Sequence, residues 1–98
     1  MRELTQEEAE RCERACELLG DKSALPGNPY FWFGRLWDRA LELAEQKNCF
    51  VAIIEGGVEF DNPQKQAMDF AKAERGNYCL ALCEAIEQFT AAPAGKEE

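Results

Sequence analysis

Four of the five cysteines in this chain form two equally spaced pairs, Cys12-x-x-x-Cys16 and Cys79-x-x-x-Cys83. A spacing of four residues places both side chains of a pair on one face of a helix. If two such helices pack through these faces, four sulfurs meet. Antiparallel helices would bring Cys12 to Cys83 and Cys16 to Cys79. Such a cluster can bind Zn²⁺, Cu⁺ or an iron–sulfur cluster, or exchange disulfides.

The twin spacing is similar to the CX3C pattern of small mitochondrial intermembrane-space chaperones. The resemblance covers only those four positions, and 62 residues separate the pairs here, where that family has a short loop. Reduced cysteines are also common in buried helix seams, and an odd total of five favours free thiols. We therefore expect reduced, metal-free thiols and no cofactor. A metal-binding or thiol-redox helical module that uses Cys12, Cys16, Cys79 and Cys83 is the alternative.

A second group of candidate residues is the carboxylates Glu55, Glu59 and Asp61, which lie beside a Gly-Gly pair. Carboxylates at this spacing match no calcium loop, and solvated turn carboxylates are common. The chain contains no histidine, and Ser23 is its only serine. These absences exclude histidine-based triads and the usual proton shuttle near neutral pH. We therefore do not expect an enzyme.

The charge of the chain narrows the class of partner. Nineteen acidic and eleven basic residues give a net charge of −8, which opposes direct contact with a nucleic-acid backbone and favours a protein partner with a basic surface. The start of the chain is too charged for a signal peptide, and the longest apolar runs, 49–54 and 78–83, are too short for a membrane span. We expect a cytoplasmic protein that does not bind membranes.

Two helices are predicted from clear local signals. Thr5 followed by Glu8 fits a capping box, and the pattern continues to about Leu19. Asn28 before Pro29 offers an N-cap and a proline at the first helical position, for a second helix that ends near residue 47.

The second helix begins with an aromatic cluster, "PYFWFGRLW". A helical wheel puts Phe33 and Trp37 in the middle of the apolar face and Trp32 at its edge, whereas Phe31 lies among charged residues. Exposed aromatics often anchor protein interfaces. Phe70 also lies off the apolar stripe of its segment. The candidate partner-contact residues are Phe31, Trp32, Arg35, Asp38, Glu42, Glu45 and Phe70.

The rest of the chain gives weaker signals. Residues 49–60 fit either a β-hairpin that turns at Gly56–Gly57 or a short buried helix, and we favour the helix. A heptad-like phase from Met68 to Phe89 favours one long helix from about residue 63 to residue 90, although Gly76–Asn77 could interrupt it.

These patterns predict a mainly α fold, a small bundle of three or four helices with a possible hairpin near residues 49–60. Residues 1–90 are expected to form a single helical domain, and residues 91–98 a flexible tail. The predicted function is a non-enzymatic, acidic protein–protein interaction module. Small inhibitors or regulators of the phage or mobile-element type, which bind a basic or nucleic-acid-handling protein, belong to this class. The sequence leaves open whether the protein forms a homodimer.

Overall fold

The structure, a computed structural model, describes residues 2–17, 26–63 and 67–91. Its elements in chain order are α1 (Gln6–Ala15), α2 (Pro29–Gln46), β1 (Phe50–Ile54), β2 (Gly57–Asn62), β3 (Ala67–Lys72), a short 3-10 helix (Glu74–Gly76) and α3 (Tyr78–Ala91). The described chain is therefore a mixed α/β fold with three α-helices and a three-stranded antiparallel sheet of order β1-β2-β3. The prediction of a mainly α helical bundle was wrong.

The largest error concerns the segment after residue 63. The predicted single helix is instead a strand, a 3-10 turn and a helix, because β3 pairs along its length with β2. Arg75 and Gly76 then adopt φ values of 53° and 74°, a left-handed conformation that cannot continue a right-handed helix. Asn77 starts α3 by accepting a hydrogen bond from the Leu80 N–H at 3.1 Å. Gly76–Asn77 therefore does mark the restart that the sequence left open.

Residues 50–62 form the hairpin rather than the favoured helix. Ile54 pairs with Gly57, so the turn is Glu55–Gly56, one residue before the predicted glycine pair. Gly56 has a φ of 89°, which glycine adopts without strain. The Gly56 N–H donates to the Tyr78 hydroxyl at 3.1 Å, and the Gly56 carbonyl accepts from the Ala73 N–H at 2.8 Å. The turn is thus attached to the connection between β3 and α3.

The first two helices begin where the sequence predicts. Thr5 and Glu8 form the predicted capping box of α1, and the Asn28 side chain accepts a hydrogen bond from the Tyr30 N–H at the start of α2. However, α1 ends at Ala15, and Glu17 has a φ of 59°. The predicted end near Leu19 was too late, and residues 18–20 themselves lie outside the described part of the chain.

Helix α3 lies at the centre of the core and contacts α1, α2, β2 and β3. Phe89 of α3 stacks on Phe60 of β2, with the ring centroids 4.3 Å apart. The buried face of α2 is centred on Trp32 and Leu36, while Phe33 is only partly buried. The predicted apolar face of α2 was therefore rotated towards solvent. The division into a domain at 1–90 and a tail stays a prediction, since residues 92–98 are outside the described ranges.

Candidate interaction surface

One face of the sheet packs on the helices, and the other is open. Successive side chains of a strand point to opposite faces, and Val58, Phe60 and Ala71 are fully buried on the helix side. The strand register sets the opposite face. We call this surface the open sheet face, and its described side chains are those of Phe50, Ala52, Ile54, Glu59, Asp61, Phe70 and Lys72.

Large apolar side chains are exposed on the open sheet face. Phe50 is 65% exposed, Phe70 41% and Ile54 37%. Glu59 lies directly opposite Phe70 in the register, and Asp61 opposite Phe50. Both carboxylates are half-buried. The face thus combines three large apolar groups with two acidic groups on its central strand.

The ring of Phe70 lies over Gly57. A Cβ atom on Gly57 would come within 2.6 Å of the Phe70 Cζ, and it would also meet the backbone carbonyl of Ala71. Only glycine lets β3 and the Phe70 ring approach β2 so closely here. Gly57 therefore fixes the position of one of the three apolar groups.

A second exposed surface runs along α2. It consists of Phe31, Arg35, Asp38, Glu42 and Glu45, which we call the α2 stripe. All five are exposed, as the wheel predicted for this side of the helix. The Phe31 ring makes an edge contact with Trp32 at 5.1 Å, and the Arg35 guanidinium lies 4.7 Å above it. Phe31 therefore already has partners within the chain on two sides.

Two of the predicted contact residues lie elsewhere. Trp32 is only 2% exposed, and its Nε1 donates to the Pro26 carbonyl at 2.7 Å. It belongs to the core and presents almost no surface to a partner. Phe70 lies on β3, in the open sheet face, rather than on a helix. The structure thus brings five of the seven predicted residues together on α2 and places Phe70 on a different surface.

The sequence interpretation missed Phe50 and Ile54 as surface residues. Their signal was present, since "FVAII" before a Gly-Gly pair is typical of a hairpin strand. We favoured a helix for this segment, and a helix does not place Phe50 and Ile54 on the same face as alternate positions of a strand do.

The cysteine pairs do meet, in the seam between α1 and α3. Cys12, Cys79 and Cys83 are fully buried, and Cys16 is partly exposed. A hydrogen bond between the Cys12 and Cys79 side chains raises the pKa of Cys12 and lowers that of Cys79. Cys83 also raises the pKa of Cys12, so the thiol of Cys12 lies near both thiols of α3.

The helices carrying these cysteines run parallel. Arg11 of α1 forms a bidentate ion pair with Glu87 of α3, at 2.7 and 3.0 Å, and Ala15, one turn further along α1, lines the same hollow as Thr90. The antiparallel arrangement considered from the sequence is therefore not formed. No disulfide joins any of the five cysteines, all of which lie in the described ranges. In the three described ranges, no group of three or more Cys, Asp or Glu side chains is placed to hold a metal ion.

Comparisons with known proteins give no match, whether to a protein-family model, to a curated protein or to a solved structure. Among the described helices, none combines the length and the apolar character that crossing a bilayer requires. The function must therefore be argued from the surfaces and cavities of the chain itself.

Proposed function

We propose that this protein is a non-enzymatic interaction module that binds a protein with a basic surface through its open sheet face. The observation that carries the proposal is the exposure of Phe50, Ile54 and Phe70 around the carboxylates Glu59 and Asp61. The absence of histidine and the single serine of the chain support a non-catalytic role.

The apolar side chains supply the affinity of such a contact. Clustered aromatic and aliphatic groups on one flat face are typical of protein-binding sites, and a few buried anchors dominate the binding energy. Phe31 on the α2 stripe is a weaker candidate anchor, because Trp32 and Arg35 already contact its ring. The open sheet face is therefore preferred to the α2 stripe.

The acidic residues determine the specificity for a basic partner. Glu59 and Asp61 are half-buried on the central strand, and the chain carries a net charge of −8. A Lys or Arg from the partner would pair with these carboxylates in a partly desolvated site, which favours both recognition and fast association. A second copy of this chain would bring like charges together, so we favour a basic partner over a homodimer.

Strand β1 offers such a partner a place to add a strand. It is an edge strand, and no other described strand pairs with its outer side. Its sequence, FVAII, contains none of the Lys or Pro residues that usually protect an edge. An extended segment with alternating basic residues could pair with β1 and place those residues against the open sheet face.

The biological class follows from that choice of partner. Proteins that handle nucleic acids carry basic surfaces, and a small acidic protein that covers such a surface acts as an inhibitor or regulator, as phage and mobile-element proteins of this kind do. A cytoplasmic location fits five cysteines that form no disulfide, because a reducing compartment keeps thiols reduced.

The test compares binding by matched surface variants. Phe50→Ala and Phe70→Ala remove anchors of the open sheet face, whereas Leu41→Ala removes an apolar residue of α2 that is 44% exposed. A partner isolated from host extract by the wild-type chain is then purified and its affinity for each variant measured. Each sheet variant should weaken binding by about 1 to 3 kcal/mol, and Leu41→Ala by less than about 0.5 kcal/mol.

Two results would contradict the proposal. Equal loss of affinity in all three variants, or no loss in the sheet variants, would remove the open sheet face as the site. Phe31→Ala is measured alongside, since a selective loss there would move the contact to the α2 stripe. A concentration-dependent dimer that Phe50→Ala disrupts would make a second copy the occupant.

The thiol cluster supports a second candidate function, a thiol-redox module. The observation in its favour is that Cys12, Cys79 and Cys83 are buried together in the seam between α1 and α3, where both thiols of α3 influence the pKa of Cys12. Hydrogen peroxide can convert two thiols to one disulfide, forming the S–S bond and two waters with loss of one hydrogen from each sulfur. Intact mass after peroxide treatment would fall by two hydrogens in the wild type and not in Cys12→Ala. An unchanged free-thiol count would remove this candidate.

A further inference from the structure

Two residues of β1 point their backbone hydrogen-bonding groups away from the sheet. A two-residue turn closes the β1–β2 hairpin at the pair Ile54 and Gly57. The closing pair of such a turn is hydrogen-bonded, and hydrogen-bonded pairs then recur at every second position of the ladder. Val51 and Ile53 lie between these positions. Their N–H and C=O groups therefore face the outer side of β1, where they offer two donors and two acceptors.

The neighbouring hydrogen bonds agree with this assignment. The Ala73 N–H donates to the Gly56 carbonyl at 2.8 Å, which directs the even-numbered residues of β2 towards β3 and leaves the odd-numbered ones for β1. Just before β1, the Cys49 N–H donates to the Ala44 carbonyl at the end of α2. The two outward-facing residues further along β1 have no such bond to other described parts of the chain. The free edge therefore begins after Cys49.

Ala52 leaves a gap on the open sheet face beside this edge. Phe50 and Ile54 flank it on the same face and are 65% and 37% exposed. Glu59 lies directly opposite Ala52 on β2. A strand added beside β1 would lie two strand spacings, about 10 Å, from β2. A residue opposite Ala52 on that strand would face Glu59 across a single methyl group, with apolar walls on both sides.

The carboxylate of Glu59 is available for a partner. Glu59 is half-buried, and its side chain makes no ion pair or hydrogen bond within the described ranges. Lys72 lies on the same face, but it is on β3 opposite Gly57, and it does not pair with this carboxylate. A partly desolvated carboxylate gains most from a cation that can reach it.

We propose that β1 accepts an antiparallel strand from the partner, and that the gap over Ala52 binds a Lys or Arg side chain of that strand. The site is part of the open sheet face, so it rests on the proposed function and adds the chemistry of the partner segment. The aliphatic stem of the basic residue lies between Phe50 and Ile54, and its charged end pairs with Glu59. Backbone hydrogen bonds to the outer edge hold the strand in place.

The two residues on either side of the Lys or Arg are apolar. They lie on the helix side of the sheet, opposite Val51 and Ile53, and Ile53 is 43% exposed there. The segment that fits β1 is thus apolar, basic, apolar. A second copy of β1 does not fit, because its sequence, FVAII, contains no basic residue. The other edge strand, β3, is a poorer host, since it ends in Lys72, a residue type that protects edges.

The first experiment is an NMR titration of the full chain with the capped peptide Thr-Val-Lys-Val-Thr. This sequence is palindromic, so it presents the same side chains in both directions. The Val51 and Ile53 amides should shift in a saturable way, with a Kd of about 1 mM or below. Val-Thr-Lys-Thr-Val, which has the same composition and charge, should bind at least about fivefold more weakly. No saturable shift by about 10 mM of the first peptide would overturn the proposal.

Methylation of the peptide backbone tests the strand pairing. In the antiparallel register, the N–H groups of the two valines donate to β1, and the lysine N–H points to solvent. A methyl group on a valine nitrogen should weaken binding by at least about tenfold. The same group on the lysine nitrogen should change the affinity by less than about threefold. The reverse pattern, or an equal loss in both peptides, would overturn the antiparallel addition.

Substitutions in the protein test the gap. Ala52→Leu fills it, and Glu59→Gln removes the charge at its end without a change of shape. Each should weaken binding of Thr-Val-Lys-Val-Thr by at least about fivefold, with a native-like NMR spectrum. Glu55→Gln removes one exposed carboxylate from the hairpin turn and should change the affinity by less than about twofold. Equal effects of the two Glu→Gln changes would show that only overall charge matters and would overturn the site.

The results separate this site from the proposed function. If Phe50→Ala and Phe70→Ala weaken the isolated partner but the peptide does not bind, the partner uses side-chain contacts alone and the strand addition is wrong. If the peptide binds as expected but neither variant affects the partner, the strand site stands and the proposed function is wrong.

Discussion

At the scale of single residues, neighbouring side chains of the same type have different surroundings. Trp32 and Phe31 are adjacent in α2, yet Trp32 is buried with its indole N–H bonded to Pro26, and Phe31 is 39% exposed. Because α2 turns by about 100° per residue, one residue decides between core and surface. The environment of each side chain therefore determines which substitutions affect stability and which affect binding.

Glu8 should make the stability of α1 depend on pH. Hydrogen bonds from Arg2, at 2.6 and 2.8 Å, lower the pKa of Glu8 from about 4.5 to about 2. A lowered folded-state pKa stabilises the fold above the unfolded value, and this contribution is lost as the pH falls from about 4.5 to about 2. Because Arg2 is largely exposed, we expect Glu8→Gln to cost only about 0.5 to 1 kcal/mol at pH 7.

Urea unfolding of both proteins between pH 7 and pH 2.5 measures this effect. The difference between wild type and Glu8→Gln should shrink below pH 4.5, since protonated glutamate resembles glutamine. Gln can keep the capping box, so the variant isolates the Arg2 contact. A difference that stays constant over the whole range would show that the ion pair contributes nothing.

Cys16 should be the first thiol to react in the native protein. It is the only partly exposed cysteine of the five, and burial raises its pKa to about 11. Because the thiolate is the reactive form, labelling by a thiol reagent should be slow at pH 7 and accelerate as the pH rises towards 11. Cys16→Ser should remove this phase, and the other four thiols should react only after denaturation. Native labelling of more than one thiol would contradict this burial pattern.

At the scale of elements, the sequence predicted those boundaries that local chemistry sets. The capping box of α1 and the Asn28-Pro29 start of α2 depend on adjacent residues, and both were correct. Strand β3 was not predictable in this way, because its conformation depends on pairing with β2, and the spacing of Met68 and Ala71 also fits a helix. The heptad-like phase from β3 into α3 was a coincidence of two different elements.

The candidate site also has one part that depends on local sequence and one part that depends on strand pairing. The α2 stripe could be predicted from one helix, because a wheel requires only the helical period. The open sheet face required the hairpin, its register and β3 together, so Phe50 and Ile54 were not identified. Phe70 was selected as a contact residue for an incorrect reason, as an off-face position of a helix that does not form.

Two glycines should respond in opposite ways to alanine. At Gly57 a Cβ would meet the Ala71 carbonyl and the Phe70 ring, whereas at Gly34, an exposed position within α2, it would meet nothing within 4 Å. Gly57→Ala should destabilise the fold by about 1 to 3 kcal/mol through overpacking. Gly34→Ala should stabilise it by about 0.5 to 1 kcal/mol, because alanine favours the helix. Chemical denaturation of both variants tests the pair, and a neutral Gly57→Ala would show that β3 does not approach β2 so closely.

At the scale of the whole molecule, net charge opposes association between copies of the chain. The net charge of the chain is −8, while the open sheet face exposes three large apolar groups. Net charge keeps such apolar surfaces apart in solution. Lowering the net charge to zero should therefore show through which surface the copies associate.

The chain should self-associate through the open sheet face as the pH approaches its isoelectric point of about 4.6. Repulsion between copies vanishes there, and the exposed apolar groups of the sheet face remain. The apparent mass from light scattering should rise at least about twofold between pH 7 and pH 4.6. Phe50→Ser should suppress the rise in apparent mass. Leu41→Ser, which also replaces an exposed apolar residue with serine but lies on α2, should not. Neither variant changes the net charge of the chain. A difference in apparent mass between Phe50→Ser and Leu41→Ser would therefore show that the open sheet face, and not charge, mediates the association. If the two variants behave alike, or if association peaks far from pH 4.6, the open sheet face is not the adhesive surface of this molecule.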